Sequence, residues 1–329
     1  MSTPDIVLSS PFHDDEVAAQ RRAGAPAIGA GIRAFMPEQH RAFFAGLRYA
    51  FLATTDADGW PIATMLAGEP GFIRSPDPVM LRIAGAADPR DPAAAGLAPG
   101  REIGLLGLDF ATRRRNRANG YVTEHDADGW TIAVRQSFGN CAKYIQRRIV
   151  EAASSVSGGV ETLGSLDQDA QRLIRGADTF FVASRSRPDI QAAGGLDISH
   201  RGGRPGFVAA AADTLTIPDY AGNRYFNTLG NLLGDPRASL LFVDFASGDL
   251  LQLQGMADID WDASRAAPVE GAQRTWRFTV ARGWRRRAAC ALRWRFIDYS
   301  PATLGTGVWP SATSSEPVSC GQQDRTAAQ

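Results

Sequence analysis

The chain repeats itself. PGFI at residues 70–73 returns as PGFV at 205–208, and LLGLDFA at 105–111 returns as LLFVDFA at 240–246, both at an offset of 135 residues. Asn119-Gly120 falls on Gln254-Gly255 at the same offset, while FLAT at 51–54 matches FVAS at 181–184 at an offset of 130. Matches in one order and nearly one register call for two copies of one structural unit. Each copy opens on a helix: MPEQHRAFFAGLRYA, with Pro37 in its first turn, and LDQDAQRLIRGA, which Ser165 and Gln168 would start as a capping box. Short apolar runs follow, divided by turn residues. Asp-Ala-Asp-Gly-Trp occurs at both 56–60 and 126–130, between apolar runs, as an antiparallel hairpin requires. The expected fold is mainly β with flanking helices (α+β), built as two small antiparallel barrels. Residues 1–150 hold the first copy, 151–165 a small-residue linker, and 166–310 the second. Residues 1–12 and the polar tail 311–329 are expected to be disordered.

Composition narrows the function. Hydrophobic residues make up 44% and charged residues 21%, values of a globular chain with a sizeable core. Lys+Arg and Asp+Glu are both 35, and zero net charge argues against a general polyanion binder. The mixed stretch RGWRRRAACALRW therefore does not read as a nucleic-acid site. Cys141, Cys290 and Cys320 lie too far apart for a disulfide framework, a zinc site or an iron–sulfur site. No apolar run reaches membrane-spanning length. The N-terminal segment has no basic region followed by an apolar core, so a cytoplasmic protein is expected.

The two copies differ most in one loop. After LRI the first copy runs AGAADPRDPAAAGLAPGRE, which reads as Ala/Pro/Gly filler. After LTI the second runs PDYAGNRYFNTLGNLLGDPRA. A phosphate dianion is bound by a guanidinium, by side-chain amides and hydroxyls, and by the free N–H groups of a helix start. Arg224 supplies the first, Asn223, Asn227 and Thr228 the second, and a short helix from Asn227 the third. Alternatively Asn227 or Thr228 merely caps that helix. Just upstream, an extended segment 196–201 puts Asp197, Ser199 and Arg201 on one face and Ile198 and His200 on the other. Asp, Ser and His in such a strand point apart and make no hydrolase triad. Gln252 and Gln254 share one strand face, either as a flavin-edge contact or as a wet face. Arg113, Arg115 and Arg117 share another, either solvated or lining a groove between the copies.

Taken together, SHRGGRPGFV, the segment 214–245 and LLQLQGMA resemble the flavin-nucleotide-binding proteins related to pyridoxamine 5′-phosphate oxidase, a split-barrel family. SPFHDDEVAAQRRAG, RRRNRANG and QSFGNCAKYIQRR resemble the N-terminal half of its long, tandem members. The resemblance implies two tandem antiparallel split β-barrels forming a pseudo-dimer, with FMN in the groove between them. It implies that Asn223, Arg224, Asn227 and Thr228 hold the phosphate, and that Ser199 and Arg201 lie near the ribityl chain or ring with Gln252 beside the ring. The implied activity is FMN-dependent redox of a small-molecule substrate. A separate flavin or ferredoxin-type reductase would be the electron donor, since no plant-type cluster spacing or Gly-rich dinucleotide fingerprint is present. Other expectations on the same fold are a non-catalytic flavin or haem carrier, with His13, His40, His125 and His200 as the available axial ligands, or a deazaflavin-dependent reductase. A homodimer is compatible with the family. Neither nucleic acid nor membrane is expected as a partner, and no catalytic residue is assigned.

Overall fold

The computed structural model describes residues 10–24, 31–85, 87–139, 141–153, 158–190 and 193–310. The tail 311–329, with Cys320, lies outside them, as do residues 1–9. Helices α1 (Asp14–Arg22) and α2 (Glu38–Ala45) precede strands β1 (Tyr49–Thr55), β2 (Pro61–Ala67), β3 (Ile73–Arg74), β4 (Met80–Ala84), β5 (Glu102–Asp109), β6 (Arg114–Asp126) and β7 (Gly129–Gly139). Next come β8 (Arg147–Ala153), β9 (Val160–Leu163), α3 (Gln168–Gly176), β10 (Thr179–Arg185), β11 (Leu196–Gly202), β12 (Ala209–Ala211) and β13 (Thr214–Tyr220). The chain continues through α4 (Asn227–Gly234), β14 (Arg237–Val243), β15 (Leu250–Asp260), α5 (Ala263–Ala266), β16 (Ala272–Arg286), β17 (Leu292–Asp298) and α6 (Pro301–Leu304).

Two large antiparallel sheets are ordered β2-β1-β5-β6-β7-β4-β3 and β11-β10-β14-β15-β16-β13-β12, and β8 and β17 form a separate two-stranded sheet. Strand for strand the two orders are the same. The offset in sequence is thus an offset between equal places in two equal sheets. The detail extends to irregularities: the two sheets shift register at one matching site, between Asn119 and Gly120 and between Gln254 and Gly255. A Cβ on Gly120 would lie 1.9 Å from the Ala133 carbonyl oxygen, and one on Gly255 2.2 Å from that of Thr279, so both bulges require glycine. Trp130 and Trp276 fill the two barrels from corresponding positions and are fully buried.

Three expectations change. The stretch 151–165 is more than a linker: β8 runs to Ala153 and pairs with β17, and β9 joins the second sheet beside β16. Short strands such as these need little apolar surface of their own, so a run of small residues suffices to form them. Helix α3 is capped by Asp167, whose Oδ1 accepts from the Ala170 N–H at 2.8 Å, rather than by Ser165. Phe12, placed in a disordered terminus, is buried edge-on against Tyr225 with ring centroids 5.5 Å apart.

Each barrel has its own core, and a third apolar cluster joins them. At its centre Phe51 of β1 stacks on Phe181 of β10, centroids 3.5 Å apart and planes 18° from parallel. Leu292 and Trp294 of β17 pack against the same cluster. Phe181→Ala should therefore loosen both barrels at once. We expect a loss of about 3–5 kcal/mol, read by urea denaturation as a lower midpoint for a fluorescence signal from either barrel.

Candidate functional site

Where the barrels face each other, the pseudo-symmetry produces two grooves. In one, β6 of the first copy faces β11 and α4 of the second. In the other, β15 of the second copy faces β2 of the first. Arg117 and Asn119 of the first groove correspond to Gln252 and Gln254 of the second, and Ser199 corresponds to Thr64.

The second groove is closed by its own side chains. Gln252, fully buried, donates from Nε2 to the Ala63 carbonyl at 2.8 Å and to Asp91 Oδ1 at 3.0 Å. Asp91 also accepts from the Thr64 hydroxyl, from Arg286 Nη1 at 2.6 Å and from the Ala93 N–H at 2.9 Å. Gln254 donates to Asp56 and to the Pro61 carbonyl, both at 2.9 Å, and accepts from Arg282 Nε at 2.6 Å. Neither glutamine forms a wet strand face, because the other barrel covers it. Gln252 also stands apart from the remaining predicted site residues. The supposed filler loop supplies the carboxylate that seals this groove.

The first groove is open. Its cleft is lined by six cationic side chains, Arg115, Arg117, Lys143, Arg201, Arg224 and Arg274, and by one carboxylate, Asp219. Asp219 is engaged, pairing with Arg201 and, at 2.6 Å, with Arg274. At the floor Arg117 donates to Asp197 Oδ2 at 2.7 Å, to Ser199 Oγ at 2.6 Å and to Asn227 Oδ1 at 3.2 Å. Asn119 Nδ2 reaches the other Asp197 oxygen at 3.1 Å, and the Ser199 and Thr228 hydroxyls lie 2.7 Å apart. Even so, Nε of Arg115, Arg117 and Arg201 and Oδ1 of Asn119 are buried without a partner. Buried polar atoms without partners are costly, and a ligand is one way to satisfy them. Burial and the neighbouring Arg117 charge hold Arg115 down at about 9, so a bound anion would relieve it.

The loop above the floor is strained toward this cleft. Arg224 and Phe226 both have left-handed backbones, φ 64° and 59°, in residues that are not glycine. Helix α4 starts after Phe226 with no side-chain cap, leaving its first N–H groups available at the cleft. Arg224 is exposed at the rim, and the Asn223 side chain accepts from the Tyr225 N–H at 3.1 Å. Thus Ser199, Arg201, Asn223, Arg224, Asn227 and Thr228 all line one cleft. Asn227, however, has both ends of its amide bonded within the protein: Oδ1 to Arg117 and Nδ2 to Glu16 Oε1.

Residues beyond the expected set complete the site. Arg115 and Arg117 take the groove-lining alternative of their arginine run, whereas Arg113 leaves the run to pair with Asp298. Lys143 and Tyr144 close one wall, Tyr144 donating to the Ala221 carbonyl at 3.1 Å. Glu16 arrives from α1, more than 200 residues away, and no local spacing announces it. His200 lies on the strand face opposite Ser199. Burial first, then the charges of Arg115, Arg148 and Arg201, push its imidazole well below the usual range, and its Nε2 has no partner.

With this geometry in place the comparisons with known proteins can be given. Residues 36–159, most of the first copy, match the family described as pyridoxamine 5′-phosphate oxidase. No curated protein matches the sequence. Solved structures similar to part of the chain include an H111A variant of HupZ from Group A Streptococcus, 16% identical over 36% of this chain and 98% of its own, TM-score 0.29. The heme storage protein HutZ of Vibrio cholerae is 11% identical over 37% of this chain and 94% of its own, TM-score 0.26. A FAD-binding protein of Mesorhizobium loti is 13% identical over 39% and 97%, TM-score 0.26. Among the described residues no helix is long and apolar enough to cross a membrane.

The floor of the cleft sets its own test. Arg117 and Asp197 are both buried, and removing one partner strands the other. Arg117→Leu should cost about 3–5 kcal/mol of stability. The double variant Arg117→Leu/Asp197→Leu should cost less than Arg117→Leu alone, as read from thermal denaturation midpoints.

Proposed function

We propose that the chain binds FMN in the open groove and acts as an FMN-dependent oxidoreductase on a small molecule, with one cofactor site per chain. The observation that carries this is the cleft's unbalanced charge. Six cations line the cleft, and its two carboxylates, Asp219 and Asp197 at the floor, are already paired with Arg201, Arg274 and Arg117, beside a helix start without a cap. That donor set suits a phosphate monoester, whose dianion takes charge-assisted bonds from arginine and helix N–H groups. The flavin is what the family supplies to this reading. When bound, it supplies the electron and hydride chemistry.

The chain's own residues bind and orient. Arg115, Arg224 and the start of α4 would take the phosphate. Arg201, held by Asp219, and the Ser199–Thr228 hydroxyl pair would meet the polar chain that follows it. Asn119 Oδ1 offers an acceptor for a donor on the ligand farther along the groove. Electrons would come from a separate reductase.

The closed groove supports a single site, because Asp91 already takes the donors that a second anion would need. FMN titration should saturate at about one equivalent per chain, and saturation at two would overturn that part. The protein as purified should show a flavin spectrum and release FMN on denaturation. Arg115→Ala and Arg224→Ala should each weaken FMN by roughly ten- to a hundredfold, the loss of one charge-assisted contact. A colourless protein that ignores added FMN, or two variants with unaltered affinity, would end the reading. The unpartnered Nε2 of His200 favours one rival, a haem carrier. A Soret band that shifts in His200→Ala would establish it instead.

A further inference from the structure

Helix α1 belongs to neither sheet, yet it is fastened to the floor of the open groove. It lies against α4 so closely that a Cβ on Gly230 would sit 2.5 Å from Glu16 Cα. Glu16 is buried there, with Oε1 accepting from Asn227 Nδ2 and Oε2 from the His13 N–H at 3.0 Å. Asn227 in turn presents Oδ1 to Arg117 Nη1 at 3.2 Å. The helix is pinned at both ends as well. His13 Nε2 lies 2.8 Å from Asn231 Oδ1, Gln20 donates to the Tyr225 carbonyl at 3.1 Å, and Arg187 Nε meets Asp15 at 2.9 Å.

We propose that Glu16 is a positioning residue for the anion of the open groove: through Asn227 it holds Arg117 in the anion-binding pose, so that the cleft takes up an anion together with a proton. The inference rests on the anion reading of the cleft, though not on the anion being FMN. The fixed orientation of Asn227 is its first support. With Nδ2 toward Glu16, the amide can only offer its oxygen to Arg117, and Arg117 is then aimed at Ser199 and Asp197. Charge is the second. The titratable and charged groups facing Glu16 are His13, at 3.8 Å, from the start of α1, Asp197 from β11 and Arg117 from β6, while Asp14, Asp15 and Arg187 act on His13 behind them. A carboxylate at Glu16 competes with an incoming anion for Arg117, which Asp197 already partly neutralises. A protonated Glu16 does not compete. Burial, opposed by the bonds from Asn227 and His13, holds Glu16 up at about 8, so the change falls in an accessible range. Burial holds His13 neutral across that range.

Sulfate is the probe, because it stays a dianion throughout this pH range. Its affinity for the full chain, measured by isothermal titration calorimetry, should fall at least threefold from pH 7 to pH 9. In Glu16→Gln, the neutral isostere, that fall should shrink to the part Arg115 contributes. Any contribution from Arg115 persists in both proteins and cancels in the comparison. In wild-type protein, titrations near pH 8 in buffers of different ionisation enthalpy should show up to one proton taken up per sulfate bound. A flat wild-type profile, an equal fall in Glu16→Gln, or no proton uptake would overturn the proposal, the last even if the variant does not fold. FMN binding with a flat sulfate profile would sink this inference alone. Proton-linked sulfate binding without FMN would sink the flavin reading alone.

Discussion

Arg117 is the contact on which the open groove depends. It stands on β6 of the first barrel, and its guanidinium bonds to Asp197, Ser199 and Asn227 of the second. A planar guanidinium can serve three acceptors in fixed directions, which a lysine ammonium cannot do with the same geometry. The pair with Asp197 is buried, and a buried ion pair gains little by itself over an apolar contact. Its value lies in direction. With Arg117 fixed, the strand face carrying Ser199, the start of α4 and the first barrel are held in one arrangement, and Asn119 adds a second bond to the same carboxylate.

The closed groove shows the same scaffold without a ligand's room. Thr64 stands where Ser199 stands, Gln252 where Arg117 stands, and the donors of this groove converge on Asp91. A carboxylate bound to a hydroxyl, an amide, a guanidinium and a backbone N–H has its needs met internally. In the open groove the corresponding segment brings Arg224 and an uncapped helix, and its one carboxylate lining the cleft, Asp219, is taken by Arg201 and Arg274. Equal frames thus produce opposite local charge: one groove is neutralised by the chain and the other is left cationic.

Much of the fold was readable because the repeat is carried by residues with backbone duties. Gly120 and Gly255 sit at matching bulges, and the Asp-Gly turns sit at hairpin ends, so the offset of matches followed the offset of strands. The site was readable where it was local: Asn223, Arg224, Asn227 and Thr228 are neighbours in sequence and line one cleft. It was unreadable where contacts join distant segments. Period-2 alternation put Gln252 and Gln254 on one strand face but could not say that the other barrel covers that face. Asp91 was lost among alanines and prolines because its partners, Thr64, Gln252 and Arg286, come from three separate strands. Glu16 looked like one more acid in a helix's first turn, where acids are common for dipole reasons alone.

Fusion of the two barrels explains why such asymmetry can exist. In a twofold dimer of identical chains, each residue enters both grooves, so any carboxylate that sealed one would seal the other. Two barrels in one chain free each position from its twin. Arg117 can remain a cation while Gln252 becomes neutral, and the loop after β4 can carry Asp91 while the loop after β13 carries Arg224. Helix α1 likewise serves one groove only: it closes on α4, with Glu16 against Gly230, whereas Gly96 of the first barrel's 92–96 turn packs on Thr54 and Thr55 of its own β1. Divergence then acts on packing and charge together. The closed groove gives the barrels an internally bonded seam, and that seam lets the opposite groove keep an excess of arginines without losing its shape.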